Sequence, residues 1–286
     1  MPTALAPRTP APRAAIAALP PYVPGRRASS ELTAALAANE SHFPPLPGVA
    51  AGLDAALRRV NRYPDATAAD LRAAIAARHG VAVDGVVVGP GSLGVLQQIV
   101  TAMCEPGDEV VFAWRSFEAY PLVAAVAGAR AVTVPLLADD AHDLDGMAAA
   151  VGERTRIVLL CSPNNPTGVA LTHDAVERFL RRVPAHVLVV LDEAYAEFVT
   201  DPAAVQGPAL LRRHPNVCVL RTFSKAYGLA GLRVGYALAD PAVADGLRRA
   251  GLPFAVSSVG QQAALACLAA GAELDERVAA VAGERD

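Results

Sequence analysis

Short apolar runs alternate with longer, helix-like segments along most of the chain after residue 54. The apolar runs are rich in β-branched residues and predict strands at 86–88, 109–113, 131–135, 157–161, 187–191, 217–221 and 234–238. Between them, apolar positions that recur every three or four residues predict helices at 68–79, 92–103, 117–127 and 172–183, with Thr172 capping the last. The alternation predicts an α/β fold with a mostly parallel, seven-stranded sheet covered by helices on both faces.

The two ends of the chain depart from this alternation. Residues 1–27 are rich in proline and predict an extended arm. Residues 258–284 predict one long helix, in which Gly260 and Gly271 are weak points because glycine disfavours a helix interior.

Composition excludes several classes of function. The 286 residues contain 25 Lys or Arg and 28 Asp or Glu, so the net charge of −3 provides no electrostatic basis for nucleic-acid binding. No uncharged apolar run reaches the length that spans a membrane, so we expect no membrane association. The four cysteines are widely spaced and the six histidines lack metal-ligand spacing. We therefore expect a cytoplasmic protein with reduced cysteines and no metal site.

A lysine follows one of the predicted strands. Lys225 comes shortly after the run 217–221, directly after Ser224, and Arg233 lies eight residues further on. The carboxyl end of a strand is where open α/β sheets bind ligands, and a partly desolvated amine there can act as a nucleophile. A Ser-Lys pair alone more often indicates a solvated lysine in a loop. Other segments must therefore support a nucleophilic role for Lys225.

Three further segments at strand ends provide that support. Asp192 follows the apolar run 187–191, where a carboxylate is costly unless it meets a cation. Residues 161–168 contain two asparagines, two prolines and a glycine, which predict a rigid turn that can present an amide. Residues 89–94 form a glycine-rich turn before a helix, and Ser92 is its predicted cap beside free backbone donors for an anion.

Together these residues match the needs of one cofactor, pyridoxal 5'-phosphate. Its aldehyde requires a lysine, its pyridine nitrogen an aspartate, its phenolic oxygen an asparagine and a tyrosine, and its phosphate a cradle. At this point the chain resembles the class I/II aminotransferases of fold type I. Within them it is most similar to the histidinol-phosphate aminotransferases and their actinobacterial aromatic-amino-acid relatives. The motifs that carry the resemblance cover nearly the whole chain and lie at 19–25, 38–40, 61–64, 86–94, 114–118, 161–168, 187–195 and 253–258.

The resemblance implies roles for residues at the centre of the site. Lys225 would form a Schiff base with the cofactor and then act as general base. Asp192 would keep the pyridine nitrogen protonated, because an opposite charge raises the pKa of that nitrogen. Asn165 and Tyr195 would donate to the phenolic oxygen. Phe117 matches the aromatic residue that stacks on the pyridine ring.

The resemblance also implies residues around this centre. Arg233 and Ser224 would hold the phosphate together with Ser92, Leu93 and, as a weaker candidate, Thr222. Further out, Tyr63 would reach the phosphate of a partner subunit, which implies a homodimer, and Tyr22 and Asn39 would lie near the substrate.

The predicted reaction is amino transfer between an amino acid and a 2-oxo acid. Ser92 is followed by Leu93-Gly94, where many histidinol-phosphate aminotransferases have Asp-Glu, and together with residues 114–117 this favours an aromatic amino acid with 2-oxoglutarate. Histidinol phosphate is the alternative substrate. A pyridoxal-phosphate decarboxylase of amino acid phosphates shares the cofactor residues and stays open as a further alternative.

Two other classes of protein fit the sequence less well. Residues 89–94 also match the glycine pattern of a dinucleotide-binding turn, with Glu109 as the candidate ribose-binding acid. Against that class, proline at the second position stiffens the turn, and the other motifs would have no explanation. A regulator built on an aminotransferase-like domain would need a DNA-binding module, for which the short amino terminus leaves no room.

Members of the resembling family continue beyond this length into a small α/β domain. That domain contributes the arginine that binds the substrate carboxylate, and no residue here can be assigned this role. We therefore expect an amino-terminal arm at 1–40, a large cofactor-binding domain at 41–257, and a linking helix with the start of a truncated small domain at 258–286. The chain is expected to be a fragment of a longer enzyme, with a shortened protein as the alternative.

Overall fold

Seven strands form a single sheet in the computed structural model of the protein, which describes residues 10–21 and 36–285. The order across the sheet is β1-β7-β6-β5-β4-β2-β3. All seven predicted strands are confirmed. Their bounds are β1 Val86–Gly89, β2 Glu109–Trp114, β3 Arg130–Pro135, β4 Thr155–Cys161, β5 Leu188–Asp192, β6 Val217–Thr222 and β7 Gly235–Leu238.

Six of the strands point in the same direction. Only β7 runs antiparallel to its two neighbours, β1 and β6, so the prediction of a mostly parallel sheet is confirmed. The carboxyl ends of β1, β4, β5 and β6 therefore lie at the same edge of the sheet. Side chains that follow these strands are brought together there.

Helices cover both faces of the sheet. The four helices predicted within the alternating region are confirmed, with bounds that differ by up to three residues, and Thr172 caps α7 by accepting from the Ala175 amide at 3.3 Å. Sequence periodicity did not identify the helices at Pro47–Leu57, Leu144–Ala149, Gly207–Leu211 and Pro241–Ala250. The helices are α1 Ala14–Ala17, α2 Pro47–Leu57, α3 Ala69–His79, α4 Gly91–Met103, α5 Ala119–Ala127, α6 Leu144–Ala149, α7 His173–Leu180, α8 Gly207–Leu211, α9 Pro241–Ala250, α10 Ser258–Ala269 and α11 Gly271–Arg285.

Alternation along each strand divides the core into two layers. In β5, Leu188 and Val190 pack with α4, α5 and α9, whereas Val189 and Leu191 pack with α3, α7 and α10. Successive side chains of a strand point to opposite faces of the sheet. The residue two positions after Val190 therefore lies on the same face as Val190. This places Asp192 on the α4–α5 face and Glu193 on the other.

The predicted single helix at 258–284 is wrong. The structure has two helices, α10 and α11, separated at Ala270 immediately before Gly271, the weak point that the sequence had indicated. The Ser257 side chain caps α10 by accepting from the Gly260 amide at 3.0 Å. Both helices contribute to the core: Cys267 of α10 and Leu274 of α11 are buried in the layer that contains α3 and α7. The division into domains stays a prediction.

The amino-terminal region is described only in part. Within the predicted extended arm, Ala14–Ala17 forms the short helix α1, and Arg13 donates to the Val126 carbonyl at 2.6 Å. Across residues 10–21 and 36–285, no helix has the combination of length and apolar character needed to cross a membrane.

Candidate active site

Asp192 ends β5 as a buried carboxylate that is held by neutral donors. It is 5% exposed. The Tyr120 hydroxyl donates to Oδ2 at 2.8 Å, and the Ala194 amide donates to Oδ1 at 3.2 Å. Burial raises the pKa of Asp192 to about 6, while the Tyr120 hydrogen bond acts in the opposite direction. Among the described residues no lysine, arginine or histidine pairs with Asp192, so the carboxylate can receive a cationic ligand.

Lys225 lies half-buried in the turn after β6. Its Nζ donates to the Ala38 carbonyl at 2.7 Å and to the Asn39 carbonyl at 3.3 Å. Desolvation lowers the pKa of Lys225, Arg233 lowers it further, and Glu40 acts against both. A larger fraction of the amine is therefore neutral and nucleophilic than in a solvated lysine. Lys225 is also the only lysine among the 286 residues.

Tyr195 links Lys225 to the segment that contains Asn39. The Lys225 Nζ lies 5.6 Å from the centroid of the Tyr195 ring, and the Asn39 side-chain amide donates to the Tyr195 hydroxyl at 2.9 Å. Burial raises the pKa of Tyr195, so its hydroxyl stays protonated at neutral pH. The structure therefore brings three of the predicted site residues together.

The two asparagines of the turn after β4 differ in their contacts. Asn164 is buried and fixes the turn: it accepts from the Ser116 hydroxyl at 2.6 Å and donates to the Arg115 carbonyl and the Thr167 hydroxyl, each at 3.1 Å. The side chain of Asn165 makes no hydrogen bond with residues 10–21 or 36–285. Asn164 thus has a structural role that the sequence did not predict, and Asn165 is the residue whose amide is available to a ligand.

The start of α4 lies close to Arg233. Gly91 has a φ of 78°, and a Cβ at this position would collide with the Arg233 guanidinium. A Cβ on Gly235 would collide with the backbone of Ser92, so glycine at both positions allows the helix start and the β6–β7 region to meet. The backbone amides of the first turn of α4 and a guanidinium therefore face the same space, which suits an anion.

Neutral oxygens hold the Arg233 guanidinium. Its Nη1 donates to the Ala230 carbonyl at 3.0 Å and to the Ser224 hydroxyl at 3.4 Å. No carboxylate within the described residues pairs with it. Thr222 is buried, and its hydroxyl accepts from the Ser224 amide at 3.1 Å. Arg233 and Ser224 are thus available to a phosphate, whereas Thr222 fixes the turn that carries Ser224.

The prediction that Ser92 caps α4 is wrong. The cap position is occupied by Pro90, the helix begins at Gly91, and no side chain caps it. The proline fixes the local backbone before the glycine, and the helix begins two residues earlier than a cap at Ser92 would dictate. Ser92 and Leu93 lie in the first turn instead, where they present backbone amides, and Leu93 also packs against the core layer of α4 and α5.

The remaining predicted residues lie at different distances from this centre. Phe117 contacts Tyr120 edge-on, with ring centroids 5.6 Å apart, and so lies beside the residue that holds Asp192. Tyr63 is 83% exposed and contacts only the Phe254 ring among the aromatic side chains described, at 4.8 Å. Tyr22 lies outside the described residues.

Tyr120 is the residue of this centre that the sequence analysis missed. Its signal is spacing: it follows Phe117 by three residues, and residues three apart in a helical turn share a side. The apolar composition of α5 made it look like an ordinary core residue.

Glu109 cannot serve the glycine turn as a ribose-binding acid. It begins β2, at the edge of the sheet opposite to Gly91, and it pairs with Arg130 and Arg154. The geometry therefore counts against a dinucleotide-binding site.

Comparison with known proteins gives consistent matches. The family described as aminotransferase class I and II matches residues 34–286. The aromatic amino acid aminotransferase of Streptomyces avermitilis is 51% identical over 275 residues, which cover 96% of this chain and 77% of that protein. The enzyme of the same name from Thermobifida fusca is 52% identical over 276 residues, with the same two shares.

Solved structures agree in fold. Histidinol-phosphate aminotransferase from Sinorhizobium meliloti, in complex with pyridoxal-5'-phosphate, has a TM-score of 0.82 and 37% identity over 87% of this chain and 67% of its own. A mutant of Thermus thermophilus aspartate aminotransferase has a TM-score of 0.81 at 24% identity, covering 96% of this chain and 76% of its own, and supports the fold alone.

Proposed function

The chain belongs to the class I and II aminotransferases, and from this premise we propose that it transfers amino groups between an aromatic amino acid and 2-oxoglutarate, with pyridoxal 5'-phosphate as cofactor. One observation carries the proposal. Within residues 10–21 and 36–285, the only lysine of the sequence, a buried carboxylate that pairs with no cation and an arginine that pairs with no carboxylate lie at the same edge of the sheet. These residues are Lys225, Asp192 and Arg233.

The residues present fit this cofactor. Arg233, Ser224 and the backbone amides of Ser92 and Leu93 would hold its phosphate, since no carboxylate of residues 10–21 or 36–285 neutralises the Arg233 charge. Asp192 would pair with the pyridine nitrogen. The proposed partners of the phenolic oxygen and of the ring face are Asn165, Tyr195 and Phe117. When bound, the cofactor supplies an aldehyde for an amine and a ring that withdraws electrons.

Proton movement is assigned to Lys225. Because desolvation lowers the pKa of its amine, Lys225 would hold the cofactor as a nucleophile toward its aldehyde and, with its amine free, would act as general base toward the substrate α-carbon. The aromatic ring of Tyr195 and the Ala38 and Asn39 carbonyls limit the directions that Nζ can take.

Two further residues provide fixed electrostatics. The ionised Asp192 carboxylate would stabilise a positive charge on the facing nitrogen, and burial strengthens the interaction because the local dielectric is low. The Tyr195 hydroxyl keeps its proton, since its pKa is raised by burial, and can donate to a negatively charged oxygen. Asn39 fixes the orientation of this hydroxyl.

Histidinol phosphate is the second candidate substrate. The similarity to the Sinorhizobium enzyme favours it, whereas the higher identity to the Streptomyces and Thermobifida enzymes favours aromatic amino acids. A site built for a substrate phosphate would reject the dephosphorylated analogue strongly, because its buried donors would lack partners. Steady-state rates with phenylalanine, histidinol phosphate and histidinol separate the candidates, and a dominant rate with histidinol phosphate would overturn our choice.

We also propose a homodimer. Tyr63 is strongly exposed and lies against Phe254, which is itself 44% exposed. Leu57, Val60 and Leu252 are exposed apolar residues of nearby chain segments. An interface here would let Tyr63 reach the phosphate site of the partner, and sedimentation equilibrium measures the oligomeric state.

Covalent labelling tests the proposed cofactor site. The protein is incubated with pyridoxal phosphate and reduced with borohydride, and the labelled peptide is mapped by mass spectrometry. We expect one label, on the peptide that contains Lys225. The matched control is Lys225→Arg, which keeps the positive charge but cannot form the imine. A label that persists in Lys225→Arg, or a wild-type protein that takes up none, would contradict the proposal.

A further inference from the structure

Tyr120 is in direct contact with the Asp192 carboxylate. It belongs to the first turn of α5, its side chain is fully buried, and its hydroxyl donates to Asp192 Oδ2 at 2.8 Å. The other carboxylate oxygen accepts from the Ala194 backbone amide. Among the described residues, Tyr120 is therefore the only side chain that forms a hydrogen bond with Asp192.

The same tyrosine also supports Phe117. The two rings meet edge-on at 88°, with centroids 5.6 Å apart, and Phe112 contacts Tyr120 from within the core at 5.7 Å. Edge-to-face contacts of this kind fix the relative orientation of aromatic rings. One rigid side chain thus touches both the carboxylate and the ring that we assign to opposite parts of the cofactor's pyridine.

We propose that Tyr120 is a positioning residue of the aminotransferase site: its hydroxyl orients the Asp192 carboxylate and favours its ionised form, and its ring fixes Phe117. The inference rests on the proposed function, because it is the assigned role of Asp192 that gives the hydrogen bond a catalytic consequence.

The charges around Asp192 explain why one hydroxyl matters. Cys161 faces the carboxylate from β4, but burial, with the Asp192 charge adding to it, raises the pKa of its thiol to about 12, so it stays neutral. Tyr195 is also neutral, and the neighbouring Glu193 raises the pKa of Asp192. In the part of the chain that the structure describes, only Tyr120 and the Ala194 amide lower the pKa of Asp192 and so favour its ionisation. Loss of the hydroxyl would leave Oδ2 buried without a donor, so the pKa of Asp192 should rise.

The decisive variant is Tyr120→Phe, which keeps the ring and removes the donor. Its matched control is Tyr236→Phe, since Tyr236 is equally buried and its hydroxyl bonds the His79 Nε2 at 2.9 Å, away from Asp192. For Tyr120→Phe we expect kcat to fall about 10- to 100-fold, the size of a lost hydrogen bond to a charged group. We also expect a shift in two pH profiles, that of kcat and that of the dissociation constant for pyridoxal phosphate. The acidic limb of each should move about one pH unit higher.

A second substitution keeps the packing and the hydrogen bond intact. Replacing Tyr120 by 2,6-difluorotyrosine makes the hydroxyl a stronger donor, so both acidic limbs should move to lower pH. The opposite signs of the two shifts distinguish positioning from a general loss of stability, and this variant serves if Tyr120→Phe does not fold. In Tyr236→Phe we expect a lower unfolding midpoint with unmoved acidic limbs.

Unmoved acidic limbs in both Tyr120 variants would overturn the proposal. If the wild-type protein takes up no cofactor, the proposed function fails, and the titration of the Asp192 carboxyl by carbon-13 NMR decides the inference instead. In that experiment a higher pKa in Tyr120→Phe supports an orienting hydrogen bond, and an unchanged pKa overturns it.

Discussion

Asp192 and Glu193 are adjacent, buried carboxylates with opposite environments. Glu193 is 1% exposed, accepts from Arg221 Nε at 2.8 Å and Nη2 at 2.6 Å, and also accepts from the Gly207 amide at 2.7 Å. Asp192 faces the other side of the sheet and has a hydroxyl and an amide as donors. The two environments differ because successive side chains along a strand point to opposite faces of the sheet.

The same contrast holds for two arginines. Arg221 is enclosed by Glu193 and Glu197, which raise its pKa although burial acts against the charge. Arg233 is held by a carbonyl and a hydroxyl. On the face of the sheet that carries Arg221, the charges of Arg221, Glu193 and Glu197 neutralise each other, so these residues form a structural network. At the carboxyl edge an anion and a cation are each held by neutral groups, which leaves both charges available to a ligand.

Asp192→Asn should produce the largest effect and separate the two carboxylates most clearly. We expect kcat to fall roughly 100- to 1000-fold, the size typical of removing one fixed electrostatic stabiliser. The free energy of unfolding of the cofactor-free protein should stay the same or rise, because an uncompensated buried carboxylate is replaced by a neutral amide of similar size. Steady-state kinetics with phenylalanine and 2-oxoglutarate and urea unfolding measure both quantities. Wild-type turnover would assign Asp192 a structural role and remove the contrast.

Glu193→Gln should give the converse result. Removing this charge leaves Arg221 buried with Glu197 as its remaining carboxylate, so we expect the free energy of unfolding to fall by about 3 kcal/mol. The change in kcat should be far smaller than in Asp192→Asn. The control is Asp145→Asn, because Asp145 pairs with Arg182 but its side chain is 88% exposed, and solvent screens such pairs. A Glu193 variant as stable as the Asp145 variant would show that the internal network contributes little.

Much of this contrast could be predicted from the sequence. Strands that are buried on both faces appear as continuous apolar runs, so a charged residue at the end of a run, such as Asp192, stands out. Lys225 was found because it shortly follows such a run, and Arg233 because it lies eight residues after Lys225 and matches the resembling family. Glu193 was assigned no role from the sequence, because its contacts depend on which residues of other strands and helices face it.

What the sequence could not predict depends on tertiary contacts. Tyr120 lies in an apolar helix, and only packing shows that its hydroxyl meets a carboxylate. Asn164 and Asn165 are indistinguishable as residue types, and the conformation of their turn decides which one is used internally. The short helices α6 and α8 give periodic patterns too brief to detect, and Gly271 marked a weak point in 258–284 without showing that one helix ends there.

The smallest expected effect concerns the pH dependence of stability in the cofactor-free protein. The pKa of Asp192 is raised from 3.8 to about 6 in the folded state, so the folded protein binds this proton more tightly than the unfolded chain does. The resulting destabilisation is full above about pH 6, declines as the pH falls, and is lost below the unfolded value near 4.

Comparison of wild type with Asp192→Asn isolates this contribution, since the other titrating groups are common to both proteins. Urea unfolding at pH 7 and pH 5 should show the stability gap between them narrowing by about 1 kcal/mol at the lower pH. The narrowing has this sign because acid neutralises the wild-type carboxyl and so makes it resemble the amide. A gap of constant size between pH 7 and pH 5 would mean that the pKa of Asp192 is not raised, and that its neutral donors stabilise its charge enough to offset burial.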